Sequence, residues 1–282
     1  MTHTTILSWV TFIYFAAFVF YLFRTVFGKT FWGRLATMTA WAGLAVQSCA
    51  LVWRWKLSYD LGIGHIPLSN LYESMVFFAW SIVFLYLILE WKAANRVPGA
   101  FVIPVAFLAM AYASIAPGVD NNIQPLIPAL QSNWLTSHVV TCFLGYASFT
   151  LAFGSGLIYF IHPLVPADKD SPDNRSACLP SPDTLDTLIY QSVVLGFVFL
   201  SMGILTGSVW AHFAWGSYWS WDPKETWSLI TWIIYAIMLH ARLVRGWRGK
   251  RMAVMAVIGF ASVLFTYLGV NYLPGLHSYL NA

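Results

Sequence analysis

Histidines and a tryptophan-rich segment are the parts of this chain whose residue types and spacing could do chemistry. Five of the fifteen tryptophans lie between positions 215 and 235, interspersed with Gly216, Asp222, Pro223 and Glu225. An aromatic belt at a membrane surface spreads its rings around the protein and needs no such residues. Imidazole ligates haem iron, and a flat, apolar porphyrin suits an aromatic pad flanked by two such ligands. The pattern therefore predicts a platform for a large flat ligand.

The tryptophan segment, residues 215–235, contains a signal for the start of a helix. Asp222 stands at the N-cap position, Pro223 at the first helical position and Glu225 at the third. Two carboxylates so placed can satisfy two backbone N–H groups reciprocally, and a helix is predicted to begin at Pro223. Before it, Gly216 could turn the backbone or let a ligand approach closely. The same residues also fit an anchored re-entrant loop at a membrane interface.

Histidines near the ends of predicted membrane spans are the candidate ligands on the side of the tryptophan segment. His138 lies about one turn inside a span and His277 follows the last span, so the two are candidates for an axial pair. His212, at the end of a span, and His65, in a loop, compete with them by position. Taken singly, a histidine at a span end is more often an interfacial polar residue.

His240 belongs to a different depth of the membrane. It lies seventeen residues beyond Pro223 on the same predicted helix, which is about 26 Å at 1.5 Å per residue, close to the hydrocarbon thickness. If His240 binds a ligand, it marks a second, inner site. The alternative is a histidine near a helix C-terminus, where the helix dipole favours a cation.

The composition is that of an integral membrane protein. Hydrophobic residues make up 59% of the 282 and charged residues 9%, with a mean hydropathy of +0.67, whereas soluble domains contain about 25% charged residues. Apolar stretches of roughly 17 to 25 residues can cross a bilayer. We predict one polytopic domain over residues 1–282, an all-α bundle of about eight transmembrane helices. They lie near Ile6–Phe27, Leu35–Trp53, Leu71–Trp91, Pro98–Ile115, Leu135–Ile161, Leu185–His212, Pro223–Arg245 and Met252–Tyr272.

Positive charges are distributed unevenly over the predicted loops. Twelve Lys and Arg residues fall in one set of alternate loops and three, Arg54, Lys56 and Lys224, in the other. Because cytoplasmic loops are enriched in Lys and Arg, both termini and the tryptophan segment are predicted on the extracytoplasmic face. The net charge of +4 then reflects topology, and nothing indicates nucleic-acid binding.

The tryptophan segment carries a family resemblance. Its run Trp-Gly-x-x-Trp-x-Trp-Asp-Pro-x-Glu-x-Trp, residues 215–227, closely resembles the WWD signature of haem-handling proteins in cytochrome c maturation. Residues 67–74, Pro-Leu-Ser-Asn-Leu-Tyr-Glu-Ser, look like a segment of the CcsA (ResC) branch, known as System II, and eight spans fit that branch better than the shorter CcmC proteins. The resemblance covers essentially the whole chain and implies a place in the cytoplasmic (inner) or thylakoid membrane.

The resemblance implies two haem sites. In CcsA-type proteins haem enters a transmembrane site and moves to an external one, where the WWD segment holds it between two histidines. By order and spacing, His138 and His277 match the ligands of the outer haem iron, and His240 matches the inner ligand. A CcsB (ResB) partner supplies the second inner ligand in the family, so a separate partner chain or a fused half is implied. The other haem-binding residues implied are Trp215, Gly216, Trp219, Trp221, Asp222, Pro223, Glu225 and Trp227.

The resemblance also implies a reaction, in which two thiols of an apocytochrome Cys-x-x-Cys-His segment add across the vinyl groups of b-type haem. This chain would be the haem-binding subunit of a holocytochrome c synthase. Its partners would be CcsB, apocytochrome c, thiol-reducing proteins and the lipid bilayer. No catalytic acid or base is assigned, because capping explains Asp222. Cys49, Cys142 and Cys178 form no Cys-x-x-Cys pair, so thiol reduction falls to other proteins.

Three rival functions share some of these features. A multi-span transporter also carries charged and aromatic residues near the interfaces, but it predicts paired broken helices in repeated halves, which the sequence lacks. A di-haem b-type oxidoreductase needs paired histidines on facing helices at both depths. The third rival is haem delivery or export to a chaperone, as by CcmC-type proteins, which differs from the reaction implied above only in the acceptor of the haem.

Overall fold

The computed structural model describes residues 2–126, 131–164 and 179–273. Eight α-helices and short 3-10 turns form the regular structure of these residues, which contain no β-strand. The predicted all-α class is therefore confirmed. The helices are α1 (His3–Phe27), α2 (Thr30–Asp60), α3 (Leu71–Ala93), α4 (Gly99–Ile115), α5 (Asn133–Ile161), α6 (Pro182–Trp215), α7 (Pro223–Arg245) and α8 (Lys250–Tyr267).

Seven of the described helices are long and apolar enough to cross a membrane, and α4 is shorter. Its 17 residues agree with the predicted bounds, and Pro104 lies inside the helix without ending it, although proline removes a backbone hydrogen bond. At 1.5 Å per residue α4 is about 26 Å long, slightly less than the hydrocarbon thickness of about 30 Å. The prediction of about eight spans holds for the helices, with α4 the shortest.

Two helices extend past their predicted ends. The predicted spans Leu35–Trp53 and Leu185–His212 correspond to an α2 of 31 residues and an α6 of 34 residues. Hydropathy falls after Trp53, but α2 continues because an ion pair allows the charged side chain of Arg54 to be buried. The second helix, α6, begins before its predicted N-terminus because the Ser181 hydroxyl caps it by accepting the N–H of Thr184 at 3.2 Å.

The contact between α5 and α6 is the most extensive in the bundle. Glycines make it possible: a Cβ on Gly145 would lie 3.1 Å from the backbone nitrogen of Leu200, and one on Gly196 would lie 2.5 Å from the ring of Phe149. Small residues let membrane helices approach closely. In contrast, α7 packs mainly against α6 and α8, so much of its surface stays exposed.

A buried ion pair fixes the end of the bundle that carries the tryptophan segment, here termed the tryptophan end. Arg54 on α2 and Glu73 on α3 lie 2.8 Å apart, each with a side chain 1% exposed. The guanidinium also donates to the backbone carbonyl oxygens of Asn121 at 2.8 Å and Asn122 at 3.1 Å. The loop after α4 is thereby tied to the corner between α2 and α3.

Two further contacts hold the loops of the tryptophan end. The ring nitrogens of His65 lie 2.9 Å from the carbonyl oxygen of Ile66 and 3.0 Å from that of Gln124. The Ser74 hydroxyl lies 2.7 Å from that of Tyr267 on α8. The buried ring of His65 therefore serves loop contacts, while Ser74 links the first half of the bundle to α8.

Polar contacts also fix α7 at the opposite end of the bundle. The Asp186 carboxylate on α6 lies 2.6 Å from the Arg242 guanidinium and accepts the N–H of Gly249 at 2.6 Å. Arg242 lies over the ring of Tyr190 at 5.1 Å. Residues two apart on a helix point in nearly opposite directions. Because Arg242 faces α6, His240 faces away from the bundle, and its side chain is exposed.

Candidate functional site

The tryptophan segment contains the helix start that its sequence predicts. Asp222 is the N-cap of α7 and accepts the N–H of Lys224 at 2.9 Å. Glu225 reaches back and accepts the N–H groups of Ser220 at 2.7 Å and Asp222 at 3.3 Å. The capping box and the proline at the helix start are confirmed. The position of α7 at the tryptophan end is thus fixed by local hydrogen bonds.

Two residues with positive φ shape the chain before α7. Gly216 ends α6 with φ 82°, and its N–H donates to the carbonyl oxygen of His212 at 2.9 Å, which confirms the predicted glycine turn. Trp221 has φ 59°, an uncommon value for a bulky residue. Strain of this kind costs on the order of 1–3 kcal/mol. It persists at Trp221 because the capping box fixes the next residues.

A cavity lies between α5, α6, the start of α7 and the end of α8. It holds about 870 Å³ of empty space, counting the part that opens to the outside. Aromatic and aliphatic side chains form much of its wall, which suits a flat, largely apolar ligand. The lining includes His138, Tyr146, Gly207, Trp210, Tyr218, Trp219, Lys224, Glu225 and Tyr267.

Among the described residues that line this cavity, His138 is the one histidine. Its Nδ1 lies 2.7 Å from the carbonyl oxygen of Gly203 on α6. A carbonyl can only accept, so Nδ1 carries the hydrogen and Nε2 carries the lone pair. The ring of Trp210 lies nearly parallel to the imidazole, at 6.1 Å and 16°. Metal-ligating histidines commonly make such a hydrogen bond, so this tautomer leaves Nε2 as the ring nitrogen of His138 that could ligate a metal ion.

The space for the His138 ring depends on the absence of a side chain at position 207. A Cβ built on Gly207 would overlap Nδ1 of His138. Gly207 and Gly203 are one turn apart on α6, and both face α5. The glycines that allow the two helices to approach also fix where the imidazole lies.

The structure distributes the four predicted tryptophans over four environments. Trp219 lines the cavity. Trp215 packs edge-on against Trp210 at 4.8 Å and 72°, one layer behind the lining. Trp221 is 68% exposed and touches Trp219 edge-on at 5.8 Å. Trp227 faces away from the cavity lining, with its ring 4.2 Å from that of Phe265 on α8.

The remaining predicted site residues also lie in different parts of the structure. Glu225 lines the cavity, while Gly216, Asp222 and Pro223 form the turn and helix start that position it. His240 is at the opposite end of the bundle, on the exposed face of α7. His277, predicted as the second outer ligand, lies outside the described residues. Of the competitors, His212 is exposed and stacks on Tyr218 at 4.3 Å and 4°.

Several residues that line the cavity were not predicted from the sequence. Trp210 and Tyr218 are aromatic residues among many, and only the fold shows that they line the cavity. The spacing of Gly203 and Gly207 is a signal for close helix contact and could have identified the facing surface of α6. Lys224 lies inside the tryptophan segment, where a cation in the first turn of a helix opposes the helix dipole. That mismatch was a readable signal.

Comparisons with known proteins agree on one family. A family model described as "Cytochrome C assembly protein" matches residues 68–277. A "Cytochrome c biogenesis protein CcsA" of Chlamydomonas reinhardtii is 46% identical over 81% of this chain and 64% of its own length. CcsA proteins of Trieres chinensis and Picosynechococcus are 44% and 39% identical, over 77% and 78% of this chain and 78% and 81% of their own lengths.

A solved structure shares the fold. It is named "Cytochrome c Heme Lyase CcmF" and aligns with a TM-score of 0.67, covering 95% of this chain and 47% of its own. At 17% sequence identity, this likeness concerns the arrangement of helices alone.

Proposed function

We propose that this chain, which belongs to the cytochrome C assembly protein family, holds haem in the cavity beside His138 for covalent attachment to apocytochrome c. The family gives the chain a role in cytochrome c maturation. The observation that carries the finer proposal is the hydrogen bond from His138 to Gly203 in the wall of the aromatic cavity. It holds one imidazole in the cavity wall, where it would serve as an axial ligand for a flat ring.

The reaction that this site would serve is thioether formation. Each apocytochrome thiol adds its sulfur to one carbon of a vinyl group and its hydrogen to the other, so the addition consumes no oxidant. Haem and the substrate thiols carry this chemistry. The chain's own residues bind the ring, orient it through His138 and exclude water with Trp210 and Trp219. His277 is proposed as the second outer ligand.

The exposed side of α7 supports a second haem position shared with another chain. His240 lies on a face with Ile233 and Ile237, which are 41% and 54% exposed. A polar imidazole on a lipid-facing surface is costly unless it finds a partner. We therefore place the inner haem between His240 and a histidine from a ResB-type (CcsB) partner. The described helices run without breaks, unlike the paired broken helices typical of transporters.

The test of the proposal is the visible absorption spectrum of the protein purified from haem-replete cells with its ResB-type partner and an apocytochrome c. We expect haem bands in the purified complex and covalent haem in the cytochrome. A complex without haem, in cells that still make holocytochrome c, would contradict the proposal.

His240→Ala is expected to lower haem content and holocytochrome c several-fold, because the inner position would lose an axial ligand. The measurement is haem per protein by absorption, with covalent haem staining of the cytochrome. His162→Ala is the matched control, since His162 directly follows α5 at the end of the bundle where α7 also ends. Normal haem content and normal cytochrome in His240→Ala would remove the inner site from the proposal.

Gly207→Ala is expected to weaken haem binding without unfolding the protein. The added methyl group displaces the His138 ring and lengthens its hydrogen bond to Gly203, and loss of such a supporting bond costs about 10–100-fold in metal affinity. Absorption titration of the purified complex measures the change. Leu205→Ala, on the exposed side of the same helix, should bind as the wild type does. Equal affinities in both variants would show that this ring position is unimportant.

A further inference from the structure

Tyr146 is a buried tyrosine of the cavity wall whose hydroxyl has nothing in the bundle to bond to. Its side chain is 7% exposed and lines the cavity, yet among the described residues the hydroxyl has no hydrogen-bond partner. By comparison, the hydroxyl of the buried Tyr14 donates to Gln47. Tyr235 also lacks a partner, but it is enclosed by helices and is outside the cavity lining. Because an unpaired hydroxyl in an apolar wall is costly, we expect a ligand of the cavity to supply the partner of Tyr146.

The position of Tyr146 is at the inner end of the cavity. His138, Cys142 and Tyr146 follow one another at four-residue intervals on α5, and all three line the cavity, since residues four apart share a helix face. At 1.5 Å per residue, Tyr146 is about 12 Å further along α5 than His138. Helical side chains lean towards the N-terminus of their own helix, and α5 begins at the tryptophan end. The hydroxyl therefore points from the floor of the cavity towards the tryptophan end.

Other polar groups of the lining already have partners within the chain. Lys224 donates to Oδ1 of Asn271 at 3.1 Å, and the Asp222 carboxylate acts on its charge. The hydroxyl of Tyr267 lies 2.7 Å from that of Ser74. These groups are satisfied without a ligand, whereas the hydroxyl of Tyr146 is not.

We propose that the hydroxyl of Tyr146 binds a propionate group of the haem held in this cavity, so that the propionate edge of the ring faces inwards. The inference rests on the proposed function and deepens it. The propionates are the hydrogen-bonding groups at the edge of an otherwise apolar ring. A tyrosine hydroxyl both donates and accepts, so it can bond to an ionised carboxylate or to a protonated one. His138 holds the iron, and Tyr146 fixes the rotation of the ring about that ligand.

The consequence for the reaction is the direction in which the vinyl groups point. In b-type haem they lie on the half of the ring away from the propionates. With the propionate edge at Tyr146, the vinyl half faces the tryptophan end, where the lining includes Tyr218, which is 57% exposed. The apocytochrome thiols then reach the reacting carbons from the exposed side. The opposite orientation would place those carbons on the cavity floor and leave Tyr146 unpaired.

The experiment titrates two iron porphyrins, in detergent, into the purified complex. Iron mesoporphyrin keeps both propionates, and iron etioporphyrin III carries ethyl groups in their place. Neither has vinyl groups, so binding is measured without ligation. We expect Tyr146→Phe to bind iron mesoporphyrin about tenfold more weakly than the wild type does, the size of a hydrogen bond to a charged group. Iron etioporphyrin III should bind equally well to both. Tyr59→Phe, which changes an exposed tyrosine outside this cavity, should match the wild type with both porphyrins.

Tyr218→Phe tests the opposite orientation of the ring, because it removes a hydroxyl from the exposed end of the lining. A loss of iron mesoporphyrin affinity in Tyr218→Phe but not in Tyr146→Phe would overturn the inference. Equal losses with both porphyrins in Tyr146→Phe would also overturn it, since the hydroxyl would then not read the propionates. Failure of the wild type to bind either porphyrin would instead overturn the proposed function, and the inference with it.

Stability without a porphyrin gives a second readout. Tyr146→Phe should unfold at the same denaturant concentration as the wild type, because its hydroxyl has no partner to lose among the described residues. A variant that is less stable without ligand would show that the hydroxyl has a structural partner, which contradicts the inference.

Discussion

His138→Ala should remove the outer haem. The substitution deletes the imidazole that the hydrogen bond to Gly203 holds in the cavity wall. Loss of a supporting hydrogen bond alone costs about 10–100-fold in metal affinity, and loss of the ligand itself should exceed that range. We expect a haem affinity lowered by more than about 100-fold and holocytochrome c reduced to background. Absorption titration and covalent haem staining measure the two effects.

His212→Ala is the matched control for this prediction. His212 is at the same end of the bundle, in α6, but it is exposed and does not line the cavity. Its loss should leave haem affinity and cytochrome yield near wild-type values. His277→Ala should behave as His138→Ala does if it is the second axial ligand. If His138→Ala retains haem while His212→Ala loses it, the outer ligand has been assigned to the wrong histidine.

The second large effect is on stability. Arg54→Met should destabilise the protein by about 3–5 kcal/mol, because it leaves the Glu73 carboxylate buried without its cation. The carbonyl oxygens of Asn121 and Asn122 also lose their donors. The measurement is unfolding of the purified protein in detergent, followed by tryptophan fluorescence over increasing denaturant. We expect the loop after α4 to become accessible to protease before the helices unfold.

Two further variants separate the ion pair from general effects of the substitution. Lys56→Met removes an exposed cation two residues away on α2 and should change stability by no more than about 0.5 kcal/mol. The double variant Arg54→Met with Glu73→Leu removes both charges and should recover part of the loss, since an apolar pair can replace a buried ion pair. Equal losses in Arg54→Met and Lys56→Met would contradict the prediction.

The sequence predicted the helices well because membrane spans are continuous apolar runs with few alternatives. It placed the start of α7 at the correct residue, since the capping box of Asp222 and Glu225 is a local pattern. It failed where burial of a charge depends on distant residues. Arg54 reads as the end of a span, and only its contact with Glu73, nineteen residues further along, explains why α2 continues.

The candidate site likewise contains features that local sequence predicts and features that depend on distant residues. Gly216 and the capping box follow from local rules, and the structure has both. Which aromatic rings surround His138 depends on how α5, α6 and α8 pack, and a single sequence does not state that packing. The tryptophan segment therefore contributes Trp219 to the cavity lining, while Trp227 packs on α8. Trp210, outside the segment, is the ring beside His138.

One helix bears on both ends of the molecule, because α7 begins with Lys224 in the cavity and carries His240 on its exposed side near its other end. The angular relation between the two positions is thus set by residue count, at about 100° per residue. A single residue inserted in the middle of α7 would swing the imidazole about a quarter of a turn around the axis and leave the capped start where it is. A change in the length of α7 therefore preserves the relative orientation of its two ends only if it adds or removes whole helical turns.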